Sequence, residues 1–185
     1  MKLPKALLWQ KSVQQAGFSL IEVMIVMVII GILVAVAVPI LTGLVSQNRL
    51  NAAIFELSQQ WKVTRYDAIG SGSIPYTLCM TEDETRVAYA KIKGNDCKAV
   101  TSWNRLPHGV AIDEENSTLR RVAGVAGGKG KIYRVSWADT KAGYGGSWGQ
   151  LGRLTLIAGG KRKCLFLSKV DGSWKIKEGK KCKRR

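Results

Sequence analysis

The sequence predicts an α+β protein, in which a long N-terminal helix packs on a C-terminal antiparallel β-sheet domain. The first half of this helix is expected to span a membrane and the second half to be amphipathic. Three observations predict the architecture: an apolar run over residues 17–39, a helical stripe after it, and short β-prone segments from Pro75 onward. The rest of the 185-residue chain suffices for one globular domain of roughly 100–150 residues.

The apolar run reads GFSLIEVMIVMVIIGILVAVAVP and carries one charge, Glu22. Counted from Phe18, it is long enough for one membrane-spanning helix of about 20 residues. A charge costs roughly 2.5–3.5 kcal/mol at the bilayer centre, and Glu22 lies near one end of the run, where the cost is smaller. A short basic leader with Lys2, Lys5 and Lys11 precedes the run.

Two general interpretations of this run are a secretory signal peptide and a plain membrane anchor. A signal peptide needs a small-residue cleavage site after its apolar core, whereas this core continues into Pro39 and an amphipathic segment. A plain anchor explains the length of the run but not Glu22 or the Gly17–Phe18 junction.

Residues 16–26, AGFSLIEVMIV, closely resemble the class III signal of type IV prepilins and type II secretion pseudopilins. The resemblance implies that a prepilin peptidase cleaves between Gly17 and Phe18 and that Phe18 is then N-methylated. Cleavage leaves 185 − 17 = 168 residues. We therefore expect a leader at 1–17, a transmembrane and polymerisation helix at 18–39, an amphipathic helix at 40–72 and a β-rich soluble domain at 73–185.

The same resemblance assigns roles and a location. Glu22 is expected to pair with the new α-amino group of a neighbouring subunit, since a buried ion pair fixes register more than it adds stability. Pro39 is expected to kink the helix. The expected partners are other pilins or pseudopilins, the prepilin peptidase and the inner membrane. The chain would cross that membrane once, with its soluble domain periplasmic or extracellular, and enter a pilus or pseudopilus.

An apolar stripe follows Pro39 at spacings of four, three, four and seven residues, which predicts one face of a helix packed against a sheet. Its members are Leu50, Ile54, Leu57, Trp61 and Ala68. The glycines at 70 and 72 predict the end of the helix.

β-Prone runs separated by turn residues predict the strands of the C-terminal domain. Strands are predicted at 76–80, 87–90, 132–137, 153–157, 163–168 and 174–177, and the segment 106–112 is predicted to turn into a strand. The glycine-rich residues 143–149 are interpreted as a surface loop. They lack the Gly-Lys-Ser/Thr ending of a phosphate-binding loop and the helix that follows it.

Several segments are similar to the GspH/FimT branch of minor pilins. They are the helix end at 61–69, the strand bearing Cys79, and the segments 106–110, 152–156 and 162–165. This second resemblance implies two β-sheets packed beside the helix.

No residue pattern indicates catalysis, so we expect no enzyme, no cofactor and no metal. The only histidine, His108, lies in a Pro-Gly context typical of a surface turn. The acidic runs at 82–84 and 113–115 lack the alternating spacing of a calcium loop. The four cysteines lie too far apart for a zinc site. Their even number in an exported domain predicts two disulfides, Cys79–Cys97 and Cys164–Cys182, which close loops of similar length.

Positive charge is concentrated at the C-terminus. Cleavage of the leader would lower the net charge from +16 to 16 − 3 = +13, and residues 159–185 carry eleven Lys or Arg and two acids, a net of +9. Clustered basic residues with interleaved aromatics are typical of nucleic-acid binding. The candidate DNA-binding residues are Lys161, Arg162, Lys163, Lys175, Lys177, Lys180, Lys181, Lys183, Arg184 and Arg185. The alternative is a basic surface facing anionic lipid, wall polymer or acidic pilin subunits.

In the FimT branch, DNA binding during natural transformation is assigned to a C-terminal Gly-Arg-x-Arg motif. The nearest segment here, 172–175, reads Gly-Ser-Trp-Lys, so the first arginine is absent and lysine replaces the second. The resemblance thus implies a minor pilin of a type IV pilus that enters the fibre and binds DNA non-specifically for uptake. The alternative is a structural, GspH-like minor pseudopilin of a type II secretion system that binds other pilins and no DNA.

Overall fold

The computed structural model describes residues 19–69, 71, 74–83, 86–122, 131–138, 151–168 and 172–183. It divides the chain into two compact units, residues 1–40 and 41–185. One helix, α1 (Leu20–Ala68), begins in the first unit and continues into the second. Pro39 lies inside α1, and the residues on both sides of it are helical; a kink there stays a prediction.

The described part of the first unit is the apolar portion of α1. Every residue described there is exposed, including Leu20 (81 %) and Ile30 (49 %). By length and composition, α1 is the one described helix that could cross a membrane. Glu22 lies in its first turn, and its backbone N–H donates to the Ser19 carbonyl at 3.0 Å.

In the second unit, the described residues form nine strands. These are β1 (Tyr76–Asp83), β2 (Arg86–Lys93), β3 (Asn104–Arg105), β4 (Ala111–Ile112), β5 (Arg120–Val122), β6 (Ile132–Trp137), β7 (Gly152–Ala158), β8 (Lys161–Leu167) and β9 (Trp174–Glu178). Two short 3₁₀ helices span Cys97–Ala99 and Gly179–Cys182. The strand pairs among the described residues are all antiparallel.

Among the described residues, the strands form two sheets. Sheet A has the order β3-β2-β1-β6-β5 and sheet B the order β4-β7-β8-β9. The predicted α+β class, with a long helix packed on antiparallel sheets, is confirmed. The two-sheet arrangement is also the one that the GspH/FimT resemblance implies.

The predicted stripe of α1 forms part of the core, because all five of its members are buried. Trp61 has no exposed surface, and its ring meets Trp137 of sheet A edge-on at 5.7 Å between centroids. The Trp61 ring also meets Trp174 of sheet B edge-on at 6.0 Å. Edge-to-face pairs at these distances are favourable beyond the area they bury. Trp61 therefore contacts both sheets from the helix.

Some elements differ from their predictions. The segment 106–112 turns at His108–Gly109 into a strand as predicted, but this strand, β4, has only two residues. Before the turn, the N–H of the buried Leu106 donates to the Val87 carbonyl of β2 at 2.8 Å. Strands β3 and β5 were not predicted, since they have two and three residues and are mostly polar. The loop at 143–149 lies outside the described residues.

Both disulfides are present in the expected pairing, Cys79–Cys97 and Cys164–Cys182. In each pair the first cysteine lies in a strand and the second in a 3₁₀ helix. The second bridge therefore fastens the last described segment, 179–183, to β8.

Candidate functional site

Sheet B presents one face to the core and the other away from it. Side chains alternate along a strand, so the buried residues Leu165 and Leu167 place Cys164 and Phe166 on the opposite face. The β8–β9 register pairs Cys164 with Lys177 and Phe166 with Lys175. We call this face, which carries Arg162, Cys164, Phe166, Lys175 and Lys177, the outer face of sheet B.

The 3₁₀ helix at 179–182 folds back over the outer face. Its Cys182 is bonded to Cys164, and the Cys182 sulfur lies 3.1 Å from the Lys177 carbonyl. Arg153 Nη1 donates to the Lys183 carbonyl at 2.8 Å. These contacts hold a lysine-rich segment beside the sheet.

Five predicted DNA-binding residues form no ion pair with another described residue. They are Lys175, Lys177, Lys180, Lys181 and Lys183. Lys175 and the three lysines of segment 180–183 are exposed. Lys177 Nζ lies 4.1 Å from the centroid of the Phe166 ring, a cation–π contact that the sequence alone did not indicate.

The other described members of the predicted set have protein partners. Arg162 Nε donates to Asp113 Oδ2 at 2.6 Å, and Lys163 Nζ pairs with Glu178. Lys161 Nζ donates to Gln47 Oε1 on α1. Arg184 and Arg185 lie outside the described residues.

Asp113 has a structural role that its sequence context does not indicate. Burial by itself would raise the pKa of the Asp113 carboxyl, but hydrogen bonds from Arg162 and Asn116 outweigh it, so this pKa lies below its ordinary value. The carboxylate thus stays ionised and holds Arg162.

A groove of about 480 Å³ opens where the β7–β8 turn, the C-terminal 3₁₀ helix and α1 meet. We call it the cationic groove. Gln47 and Leu50 of α1 line it on one side. The charged residues that line it are five cations and one acid, Lys161, Arg162, Lys163, Lys180, Lys183 and Glu178. The β7–β8 turn lies tight on the helix, because a Cβ on Gly159 would come within 2.7 Å of the Ser46 Cβ.

A second groove, also of about 480 Å³, lies between the end of α1 and the start of β9. Tyr66, Ile69 and Trp174 line it together with Lys62, whose Nζ lies 5.9 Å from the centroid of the Tyr66 ring. Trp174, the residue before Lys175 in the Gly-Ser-Trp-Lys segment, packs on Trp61. The Trp174 ring therefore packs at the edge of the core.

The remaining candidates are placed as follows. His108 is exposed in its turn. Among the described residues, no group of three or more His, Cys, Asp or Glu side chains is arranged to hold a metal ion. The Gly17–Phe18 junction lies outside the described residues.

Comparison with known proteins identifies one motif. Residues 13–38 match the prokaryotic N-terminal methylation motif, a range that includes the predicted Gly17–Phe18 junction and Glu22. No curated protein and no solved structure matches the chain. The motif implies interaction with other pilins and with the prepilin peptidase. Together with the exposed apolar helix, it supports a type IV pilin-like protein anchored in a membrane.

Proposed function

We propose that the protein is a minor pilin of a type IV pilus. The observation that carries this proposal is the methylation motif at 13–38, together with the apolar portion of α1, whose described residues up to residue 40 are all exposed. The peptidase would cleave after Gly17, residues 18–39 would pack among the helices of neighbouring subunits, and Glu22 would pair with the α-amino group of one of them. Protein contacts in the fibre would then cover the apolar helix.

We also propose that the β domain binds DNA through phosphates, without sequence preference, for uptake by the pilus. The supporting observation is the set of exposed lysines on β9 and segment 180–183, which the Cys164–Cys182 bridge holds beside the outer face of sheet B. Lysines contact phosphates as point charges, whereas sequence reading needs side chains fitted to base edges.

A structural, GspH-like minor pseudopilin of a type II secretion system is the second candidate function. The ion pairs of Arg162 with Asp113 and of Lys163 with Glu178 favour it, since both cations already have carboxylate partners. The packing of Trp174 on Trp61 favours it too, because that contact gives the aromatic ring a structural role at the edge of the core.

The test is DNA binding by the full-length protein in an uncharged detergent, measured across a salt series with several duplex sequences. We expect one affinity for all duplexes and a linear fall of log affinity with log salt concentration. The double variant Lys175→Gln and Lys181→Gln should reduce the slope by about 2, since each lost phosphate contact removes about 0.9.

The matched control is Lys93→Gln with Lys98→Gln, which removes the same charge from exposed positions on β2 and the 97–99 helix. It should leave the slope within experimental error. Absence of DNA binding at low salt would overturn the DNA proposal and favour the pseudopilin. Equal losses in both double variants would show a net-charge effect and no defined interface.

A further inference from the structure

We propose that the cationic groove binds the headgroup of an anionic phospholipid. This inference goes beyond the proposed function and does not depend on DNA binding. The inference assumes only that the N-terminal helix is anchored in a membrane. Three observations within residues 41–185 support it: positive charges without carboxylate partners, apolar side chains beside the groove, and contacts that hold its walls in place.

The first observation is the charge of the groove. The only carboxylate among its lining residues, Glu178, is paired with Lys163, and Arg162 is paired with Asp113. Lys161 donates to the neutral Gln47 amide, so its positive charge has no compensating anion there. Lys180 and Lys183 form no ion pair with other described residues. Three uncompensated ammonium groups around a groove of about 480 Å³ suit a phosphate group.

The second observation is the surface beside the groove. Leu44 of α1 is 53 % exposed. It precedes Gln47, which lines the groove, by three positions, and residues three apart are neighbours on one face of a helix. Leu41, which is 58 % exposed, precedes Leu44 by three positions and extends this apolar surface along the helix. A ligand that fills the groove and also covers these two side chains has an anionic head joined to an apolar tail.

The third observation is how the groove is held. Gly159 packs directly on Ser46, Lys161 bonds to Gln47, and the Cys164–Cys182 bridge fixes the segment that carries Lys180 and Lys183. The backbone segments that carry these lysines therefore need little reordering when a ligand binds.

The position of the groove along the chain agrees with a lipid ligand. The predicted membrane span ends at residue 39, and Gln47 follows it by eight positions on the same helix. Clusters of Lys and Arg that follow a membrane span closely in the sequence are attracted to anionic lipid headgroups. Duplex DNA matches the charge of the groove but not the apolar side chains beside it.

The experiment uses the full-length protein in an uncharged detergent, with bound lipid counted by native mass spectrometry. The probes are phosphatidylglycerol and, at the same concentration, phosphatidylcholine. Glycerol 3-phosphate serves as a headgroup without acyl chains. We expect phosphatidylglycerol to bind at least about tenfold more tightly than phosphatidylcholine, and glycerol 3-phosphate to bind weakly.

The decisive variant is Lys161→Gln with Lys180→Gln, which should weaken phosphatidylglycerol binding by roughly 25-fold, since each cation near an anionic lipid contributes about fivefold. The net-charge control Lys93→Gln with Lys98→Gln should stay within about twofold of wild type. If the first variant does not form both disulfides, Lys180→Gln with Lys183→Gln, which leaves the β7–β8 turn intact, replaces it with the same expectation.

Equal binding of the two lipids, or equal losses in the groove and control variants, would overturn the lipid site. Binding of glycerol 3-phosphate as tight as that of phosphatidylglycerol would show a free-phosphate site instead and would also overturn it. The DNA-test variant, Lys175→Gln with Lys181→Gln, separates the two proposals. It should reduce the DNA salt slope and keep phosphatidylglycerol binding within about twofold of wild type.

Discussion

At the scale of single residues, Asp113 shows how a side chain from an acidic loop organises the basic hairpin. Its Oδ2 accepts from Arg162 Nε at 2.6 Å, and the Asn116 amide nitrogen donates to the same oxygen at 2.9 Å. The Asp113 side chain is only 9 % exposed. Losing such a charge-assisted network costs more than losing a surface ion pair, because it leaves half-buried polar groups without partners.

The lowered pKa of Asp113 makes this contribution depend on pH. The pKa of the Asp113 carboxyl is lower in the folded protein than in the unfolded chain, where it is about 3.9. The stabilisation that results is fully present above the unfolded pKa and is lost as the pH falls through the folded pKa. We expect Asp113→Asn to lower the free energy of unfolding by about 1.5–3 kcal/mol at pH 7. This difference in the free energy of unfolding should shrink below about pH 4, because protonation of Asp113 removes the same interaction from the wild type.

Denaturant unfolding of the full-length protein at pH 7 and pH 3 measures this difference. Glu115→Gln is the control, because Glu115 is an exposed acid of the same loop. It should change the free energy of unfolding by less than about 0.5 kcal/mol. A deficit of equal size in the two variants, or one independent of pH, would contradict the role of Asp113.

At the scale of elements, the β7–β8 turn determines how sheet B meets the helix. Gly159 and Gly160 have φ values of +53° and +75°, a region that L side chains rarely adopt. A Cβ on Gly159 would lie 2.7 Å from the Ser46 Cβ, whereas a Cβ on Gly160 would meet nothing within 4 Å. Both glycines therefore have a positive φ that disfavours a side chain, and only at Gly159 would an added Cβ also collide with the helix.

This contrast yields a matched pair of variants. Gly160→Ala should destabilise the domain by about 1–2 kcal/mol, the cost of a left-handed conformation for a residue with a Cβ. Gly159→Ala should cost about 1–3 kcal/mol more, because the hairpin must also move away from Ser46. Thermal or denaturant unfolding of the two variants measures the difference. Equal costs would show that the turn does not pack on the helix.

At the scale of the whole molecule, the methylation motif predicts processing and assembly. N-terminal sequencing of protein from peptidase-competent cells should find Phe18 as the first residue, and cells without the peptidase should retain Met1. Glu22→Ala and Glu22→Gln should both be processed, yet both should enter fibres poorly, since each removes the charge that pairs with a neighbouring amine. Glu22→Asp, which keeps the charge, should retain part of the incorporation. Normal fibre entry of Glu22→Gln would argue against the ion pair.

The amino-acid sequence by itself determines much of this protein. The apolar run, the stripe from Leu50 to Ala68 and the glycine-bounded β runs predict α1, β6 and the β7–β8 hairpin, because each signal depends on neighbours within a few positions. The disulfide pairing is local in the same sense, since each bridge closes a loop between residues 18 positions apart.

Only the tertiary structure decided which basic residues remain available. Arg162 and Lys163 look equivalent to Lys175 in the sequence, yet Asp113 lies 49 positions before Arg162 and meets it only because the 113–118 loop folds over β7 and β8. Lys161 likewise bonds to Gln47, 114 positions away, only because the fold brings the β7–β8 turn onto α1. The two-residue strand β3 also has no signal in the sequence, because only its pairing with a neighbouring strand gives these residues a strand conformation. Local periodicity specifies elements, whereas long-range packing selects which charges are paired, which face solvent and which line the groove.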